Sequence, residues 1–207
     1  MIVIIDYGMG NLKSVRNALN YLGIENKISD DYDEIRKADA LILPGVGAFP
    51  DAMDTIEKLG LDKVIKEETE KGKYLLGICL GMQLLFEKGY EGLERTGLGL
   101  IKGNIVKMKD DREKNVKIPH IGWNNLKYNR KDILFRNIDE GKYVYYVHSY
   151  FAQSYNDEDL VAYSEYGENK IPGIVRRNNI IGAQFHPEKS GTVGLDILKN
   201  FGELIKW

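Results

Sequence analysis

The chain has 207 residues, 43% of them hydrophobic and 29% charged, with 29 basic and 31 acidic side chains that leave a net charge of −2. This is the balance of an ordinary globular protein with a substantial core, and without an excess of positive charge a nucleic-acid partner is not expected. A single cysteine excludes an intrachain disulfide framework, no apolar run approaches the ~20 residues of a transmembrane helix, and the short apolar opening before Asp6 lacks the basic flank of a signal peptide, so a cytoplasmic protein away from membranes is expected.

In chain order, the apolar run over 2–5 reads as a buried strand. Leu12, Val15, Ala18, Leu19 and Leu22 recur at helical spacing and predict a helix over 11–22. A second strand over 40–43 runs into Pro44-Gly45-Val46-Gly47, which is turn chemistry. The pattern is helical again from 51 to about 71. A third strand over 74–78 is followed by a predicted helix over 80–88. Strand, loop and helix in threefold repetition predict βαβ units and a parallel sheet.

From Leu98 onward strand-like runs dominate, over 104–108, 144–150, 160–164, 173–177 and 180–185. The charge-dense stretch over 107–117 reads as a solvated loop or hairpin tip. A last amphipathic helix is predicted over about 192–205. No internal repeat or low-complexity tract interrupts the chain. The fold class expected is α/β. A single domain over 1–207 would carry a three-layer, open, mixed but mainly parallel sheet with flanking helices and an antiparallel extension in the second half.

The lone cysteine lies in Gly77-Ile78-Cys79-Leu80-Gly81-Met82-Gln83, where the third strand turns into a helix. Gly77-x-Cys79-x-Gly81 has the form of a nucleophile elbow with Cys in place of Ser. A nucleophile held on such a turn has a strained backbone and needs small neighbours, which accounts for both glycines. The following helix would aim its free N–H groups and positive dipole end at the sulfur, favouring the thiolate. The Leu80 N–H would be placed to stabilise an oxyanion. A buried structural cysteine is the alternative reading of the same residue.

A cysteine nucleophile needs a base, and the base an orienting group. Of three histidines, His120, His148 and His186, the last stands in Gln184-Phe185-His186-Pro187-Glu188, after a strand and at the sheet edge where open α/β sheets place their sites. Glu188 could accept the Nδ1 proton and fix the tautomer. A lone histidine is usually a surface or core residue; a histidine with a nearby glutamate, in a chain with a cysteine elbow, is less easily accidental. Pro44-Gly45-Val46-Gly47 is by itself only a glycine-rich turn, but after the neighbouring strand it becomes a candidate second oxyanion donor. The carboxylates and histidines show no metal-ligand spacing, and no cofactor is expected.

The segments PGVG, GICLGMQ and QFHPE, in that order and across most of the chain, resemble the class I, or triad, glutamine amidotransferases. The resemblance implies that Cys79 attacks the side-chain amide carbon of glutamine. His186 would protonate the leaving ammonia, Glu188 would orient His186, and the amides of Gly47 and Leu80 would form the oxyanion hole. It also implies that Gly45, Gln83, Ser149 and Tyr150 hold the glutamine; the place of His148 beside Ser149 fits substrate framing better than proton transfer. Within that class, Ile5-Asp6-Tyr7-Gly8-Met9-Gly10-Asn11, Pro119-His120-Ile121-Gly122-Trp123-Asn124 and Tyr145-Tyr146-Val147-His148-Ser149-Tyr150 are similar to the glutaminase subunits of imidazole glycerol phosphate synthases. These pair as heterodimers with a β/α-barrel cyclase subunit in histidine biosynthesis. On that resemblance Asn11, Trp123 and Tyr145 belong to the partner interface. The alternatives are a phosphate-binding loop at 6–11, which lacks the spacing of a dinucleotide site, and packed core aromatics at 123 and 145. Two other readings of the chain are a triad glutaminase for another ammonia-using synthase and a redox-sensing cysteine protein on a similar sheet. The second of these would need no His-Pro-Glu after a late strand.

Overall fold

The computed structural model describes residues 1–110 and 116–205. The first half runs β1 (Ile2–Ile5), α1 (Leu12–Tyr21), β2 (Asn26–Ser29), α2 (Tyr32–Lys37), β3 (Ala40–Gly45), α3 (Phe49–Lys58), α4 (Leu61–Glu70), β4 (Tyr74–Cys79) and α5 (Leu80–Gln83). Then come β5 (Phe86–Gly89), β6 (Arg95–Thr96), β7 (Ile101–Lys107), β8 (His120–Asn125), β9 (Lys127–Tyr128), β10 (Tyr143–His148), β11 (Tyr150–Gln153), β12 (Leu160–Tyr166), β13 (Asn169–Arg177), β14 (Ile180–Ala183) and α6 (Gly191–Leu204).

Among the described residues the main sheet has the order β2-β1-β3-β4-β14-β13-β12-β9. The five strands from β2 to β14 are parallel, and β14, β13, β12 and β9 continue antiparallel. The expected α/β class with an antiparallel extension is what forms. Two smaller sheets accompany it: a β10–β8 ribbon, and a sheet of order β11-β7-β5-β6.

Continuous apolar runs in the central strands follow from burial on both faces. Ile2, Ile4, Ala40, Ile42, Leu76 and Ile78 pack into one apolar cluster, while Val3, Ile5, Leu41, Leu43 and Leu75 pack into a second. The period-2 alternation of a strand sends successive side chains to opposite sides. Val15 and Leu19 of α1 join the first cluster with Ile197, Leu198 and Phe201 of α6; Phe49, Met53 and Ile56 of α3 join the second.

Two expectations require correction. The helix predicted from 51 to about 71 is two helices. Gly60 between them has φ +65, and the Tyr32 hydroxyl donates to the Leu59 carbonyl, capping the first helix from outside. The helix predicted over 80–88 ends at Gln83. The Leu84 carbonyl, which such a helix would bond to the N–H of residue 88, instead accepts from Leu98 N–H at 2.8 Å, and the next carbonyls are paired in the same way, Leu85 O with Leu100 N–H at 2.8 Å and Phe86 O with Gly99 N–H at 3.1 Å. Met82 therefore stays in α5, Leu84 and Leu85 form the turn, and Phe86 opens β5. β2, α2, β5, β6, β8 and β9 have no counterpart among the expected elements. Of the stretch over 107–117, residues 111–115 lie outside those described.

Candidate active site

The parallel register of β3 and β4 sets Gly45 beside Cys79. Both strands end there, at the carboxyl edge where open parallel sheets leave a crevice. Cys79 has φ 54 and ψ −110, a positive φ that an L-residue adopts only under constraint. The glycines flanking it are required sterically. A Cβ at Gly77 would lie 2.6 Å from the Gly81 carbonyl oxygen, and one at Gly81 would overlap the Leu43 carbonyl oxygen. The strained turn thus stands on backbone packed too closely for any side chain. Because α5 is a single turn, a macrodipole of the expected length does not form; what remains is the free N–H groups at the start of α5, which begins at Leu80.

Cys79 is buried, and its Sγ lies 3.7 Å from the Val147 carbonyl oxygen of β10. His186 follows β14, the strand on the other side of β4. Its Nδ1 lies 2.8 Å from Glu188 Oε1, with side chains 2% and 1% exposed. Its Nε2 has no hydrogen-bond partner among the described residues. Burial pushes the imidazole pKa down, but the Cys79 sulfur and the Glu188 carboxylate together outweigh it and raise the value to about 9. Cationic imidazole, carboxylate and sulfur therefore form one buried group. Ser190, which the sequence reading missed, pins it: its Oγ donates to the His186 carbonyl at 2.6 Å and accepts from the Tyr145 N–H at 2.9 Å. The His186 N–H donates to the Tyr145 carbonyl at 2.9 Å.

Cys79 and His186 face a cleft of about 280 Å³ whose wall includes Gly47, Leu80, Gln83, Glu91, Ser149 and Tyr150. The structure so brings together every residue expected at the oxyanion hole and the substrate site except Gly45. Gly45 is behind the wall: a Cβ there would meet the Tyr7 hydroxyl and, at 2.8 Å, the Gly81 nitrogen. Gly47 has φ +112, and a Cβ there would lie 2.7 Å from Met9 Cε. Tyr7 is buried behind the nucleophile, its pKa raised by burial and by the Cys79 charge. Gln83 has its amide nitrogen committed, donating to the Tyr150 carbonyl at 2.9 Å and to Gln184 Oε1 at 3.1 Å; only its Oε1 is left for a ligand. Glu91 was not foreseen. One carboxylate oxygen accepts from the Phe49 N–H at 2.8 Å, and no local pattern around it marks a binding residue.

His148 also lines the cleft, and it is paired with His120 in a chain of hydrogen bonds. Of the expected interface residues, Trp123 is 56% exposed on β8, which excludes the core alternative. Tyr145 of β10 packs edge-on against it, with ring centroids 5.9 Å apart. Asn11 is the residue before α1. No group of three His, Cys, Asp or Glu side chains that could hold a metal occurs among the described residues. No helix there is long and apolar enough to cross a membrane.

The family model for glutamine amidotransferase class-I matches residues 3–204. The chain is 55% identical to imidazole glycerol phosphate synthase subunit HisH of Lactococcus lactis subsp. lactis, over 99% of this chain and 98% of that one. It is 52% identical to the subunit of the same name from Caldanaerobacter subterraneus subsp. tengcongensis, over 100% and 99%. Among solved structures, a glutamine amidotransferase superposes with a TM-score of 0.77 at 19% identity, over 100% of both chains. PurLQS from Thermotoga maritima superposes with 0.76 at 20% identity, over 98% of this chain and 97% of that one. At such identities these structures speak for the fold alone.

Proposed function

We propose that this chain, which belongs to the glutamine amidotransferase class-I family and within it to the HisH subunits of imidazole glycerol phosphate synthase, hydrolyses glutamine to glutamate and hands the ammonia to a cyclase subunit. Cys79 Sγ attacks the side-chain amide carbon of glutamine as the thiolate, its proton already held by His186, and the carbonyl π electrons move to the oxygen. The N–H groups of Gly47 and Leu80 receive the developing oxyanion. As the tetrahedral adduct collapses, His186 gives its proton to the leaving nitrogen, and ammonia departs from a γ-glutamyl thioester. Water then adds to the thioester with His186 taking its proton, and glutamate and the Cys79 sulfur are released. Glu188 holds His186 by Nδ1 throughout, so that Nε2 is the nitrogen that faces the reaction.

One observation carries this reading: a buried His186, bonded to Glu188 at 2.8 Å and lining one cleft with the strained Cys79. The unused oxygens of Gln83 and Glu91 suit an α-ammonium group, and the Ser149–Tyr150 segment completes the wall. Trp123, Ile121 and Tyr143 are 56%, 58% and 58% exposed on the β8–β10 ribbon. We assign this apolar face, with Tyr145 and Asn11, to the cyclase contact in a heterodimer. A single unbridged thiol suits a reducing compartment such as the cytoplasm. The test is labelling with a glutamine-derived electrophile in the presence of the cyclase and its nucleotide ligand. The label should map to Cys79 and be blocked by glutamine; absence of label at Cys79 rejects the reading.

A further inference from the structure

We propose that His120 and His148 are positioning residues, a pair of neutral histidines with fixed proton positions that holds the Ser149–Tyr150 wall of the cleft in place. The proposal rests on the glutaminase reading above and adds two residues that this reading leaves without a task.

The donors and acceptors follow from chemistry at the two ends of the chain of bonds. His148 Nδ1 lies 2.9 Å from the Tyr150 carbonyl oxygen. A carbonyl only accepts, so this nitrogen carries a proton. His148 Nε2 lies 3.1 Å from His120 Nδ1. In a neutral His148 that Nε2 accepts, so His120 Nδ1 donates and His120 Nε2 is left as an acceptor. Asn124 Nδ2 stands 3.4 Å from it. The Asn124 amide cannot be turned round, since its Nδ2 donates to the Glu165 carbonyl at 2.9 Å while its Oδ1 accepts from the Asn125 N–H at 2.9 Å. A carbonyl at one end and an amide NH₂ at the other thus force the Nδ1–H tautomer on both rings. This is the less common form of free histidine. Protonation of His148 would set two N–H groups against each other at the junction.

The surroundings keep both rings neutral. His120 is stacked between the rings of Tyr146 and Tyr166, at centroid distances of 4.7 and 4.0 Å. Tyr146 shares a hydrogen with Ser164, and Tyr166 donates to the Lys117 carbonyl. Among the described residues, His186 and Cys79 line the cleft beside His148, and the positive charge of His186 disfavours a second cation at His148. Burial pushes His120 down to about 4. Burial, with smaller contributions from His120 and His186 and against the opposing Tyr150 carbonyl, pushes His148 down to about 3. The Tyr150 carbonyl has both lone pairs filled, one from His148 and one from Gln83 Nε2. Because Gln83 ends the turn of helix that begins beside the nucleophile, this carbonyl ties the substrate wall to the elbow. The wall is held from the ribbon on one side and from the elbow on the other.

The test has two arms. Imidazole ¹⁵N–¹H spectra of the full-length protein, which has three histidines, are recorded from about pH 5.5 to 9. Two rings should show the Nδ1–H tautomer and stay neutral across the range, while the third titrates at its upper end. An Nε2–H tautomer in either of the pair, or an ordinary titration, overturns the proposal. In the second arm, glutamate release is measured in complex with the liganded cyclase. His120→Phe keeps the stack but removes the donor, leaving His148 Nε2 buried and unpaired; KM for glutamine should rise about tenfold with a smaller change in kcat. His120→Asn, whose side-chain nitrogen can stand where Nδ1 stood, should recover most of it. A kcat loss at unchanged KM, or no recovery with Asn, overturns the proposal. If wild-type protein released no glutamate, the glutaminase reading would fall, and the spectra would still decide the tautomers.

Discussion

The Cys79 turn and the β8–β10 ribbon both border the cleft, yet they are specified in opposite ways. At the turn, the positive φ of Cys79 is enforced by backbone within a few residues and by the adjacent strand, through glycines at 77 and 81 that leave no room for a Cβ. In the ribbon, the bonds that join it to other segments reach far along the chain: His120 to His148 spans 28 positions, Asn124 to Glu165 41 and Tyr145 to Ser190 45. A site made by local sterics tolerates no substitution but can be read from a short stretch. A site made by distant hydrogen bonds tolerates more and leaves little trace in any one segment.

Substitutions can break or sharpen this contrast. The largest effect is expected for Cys79→Ala, which should lower glutamate release by roughly 10⁴-fold or more while leaving the circular dichroism spectrum unchanged. Next is Gly81→Ala, whose Cβ would overlap the Leu43 carbonyl; urea denaturation should show a loss above about 4 kcal/mol. The ribbon glycine Gly122 has φ +129 and open space around it, so Gly122→Ala should cost only the backbone strain of about 1–3 kcal/mol. Equal losses at the two glycines would remove the distinction.

Glu188→Gln should reduce kcat by about 10²-fold. It should also move the basic limb of the pH–rate profile downward, because the carboxylate helps hold His186 at about 9. In stability the sign is that of a raised histidine: the contribution is complete below the ordinary 6.5 and is lost as pH rises through about 9. Trp123→Ala should change unfolding free energy by less than about 0.5 kcal/mol, yet weaken cyclase binding by about 2 kcal/mol in calorimetry.

The last effect, read only as a pH slope, concerns the His120–His148 pair. Both have folded values below 6.5, so their contribution is present above 6.5 and is lost as pH falls from there through about 4 and about 3. Each adds up to about 1.4 kcal/mol per pH unit to the acid slope. Chemical denaturation of His120→Phe should show a shallower slope between pH 6.5 and 5 than wild type.

The same contrast explains what could be read from the sequence. The central strands were legible because continuous apolar runs have few other uses, and Cys79, His186 and Glu188 because glycine spacing and a strand-ending His-Pro-Glu are local patterns. The helix expected over 80–88 failed where Leu98, Gly99 and Leu100 claim the carbonyls of Leu84, Phe86 and Leu85. Gly60 was a stop signal that the helical pattern on both sides concealed. Glu91, Ser190 and the His120–His148 pair carry no such signature. Ser190 could have been suspected from standing four residues after His186, while Glu91 enters the cleft only because the chain turns back after β5.

The central claim is that Cys79, His186 and Glu188 form a glutaminase triad serving a cyclase partner. It is tested most directly by glutamate release from the chain alone and then with a β/α-barrel cyclase holding its nucleotide ligand, with Cys79→Ala in parallel. A large rise on adding the liganded cyclase, absent in Cys79→Ala, is the predicted result. No rise, or a rise that survives the loss of the thiol, would contradict it.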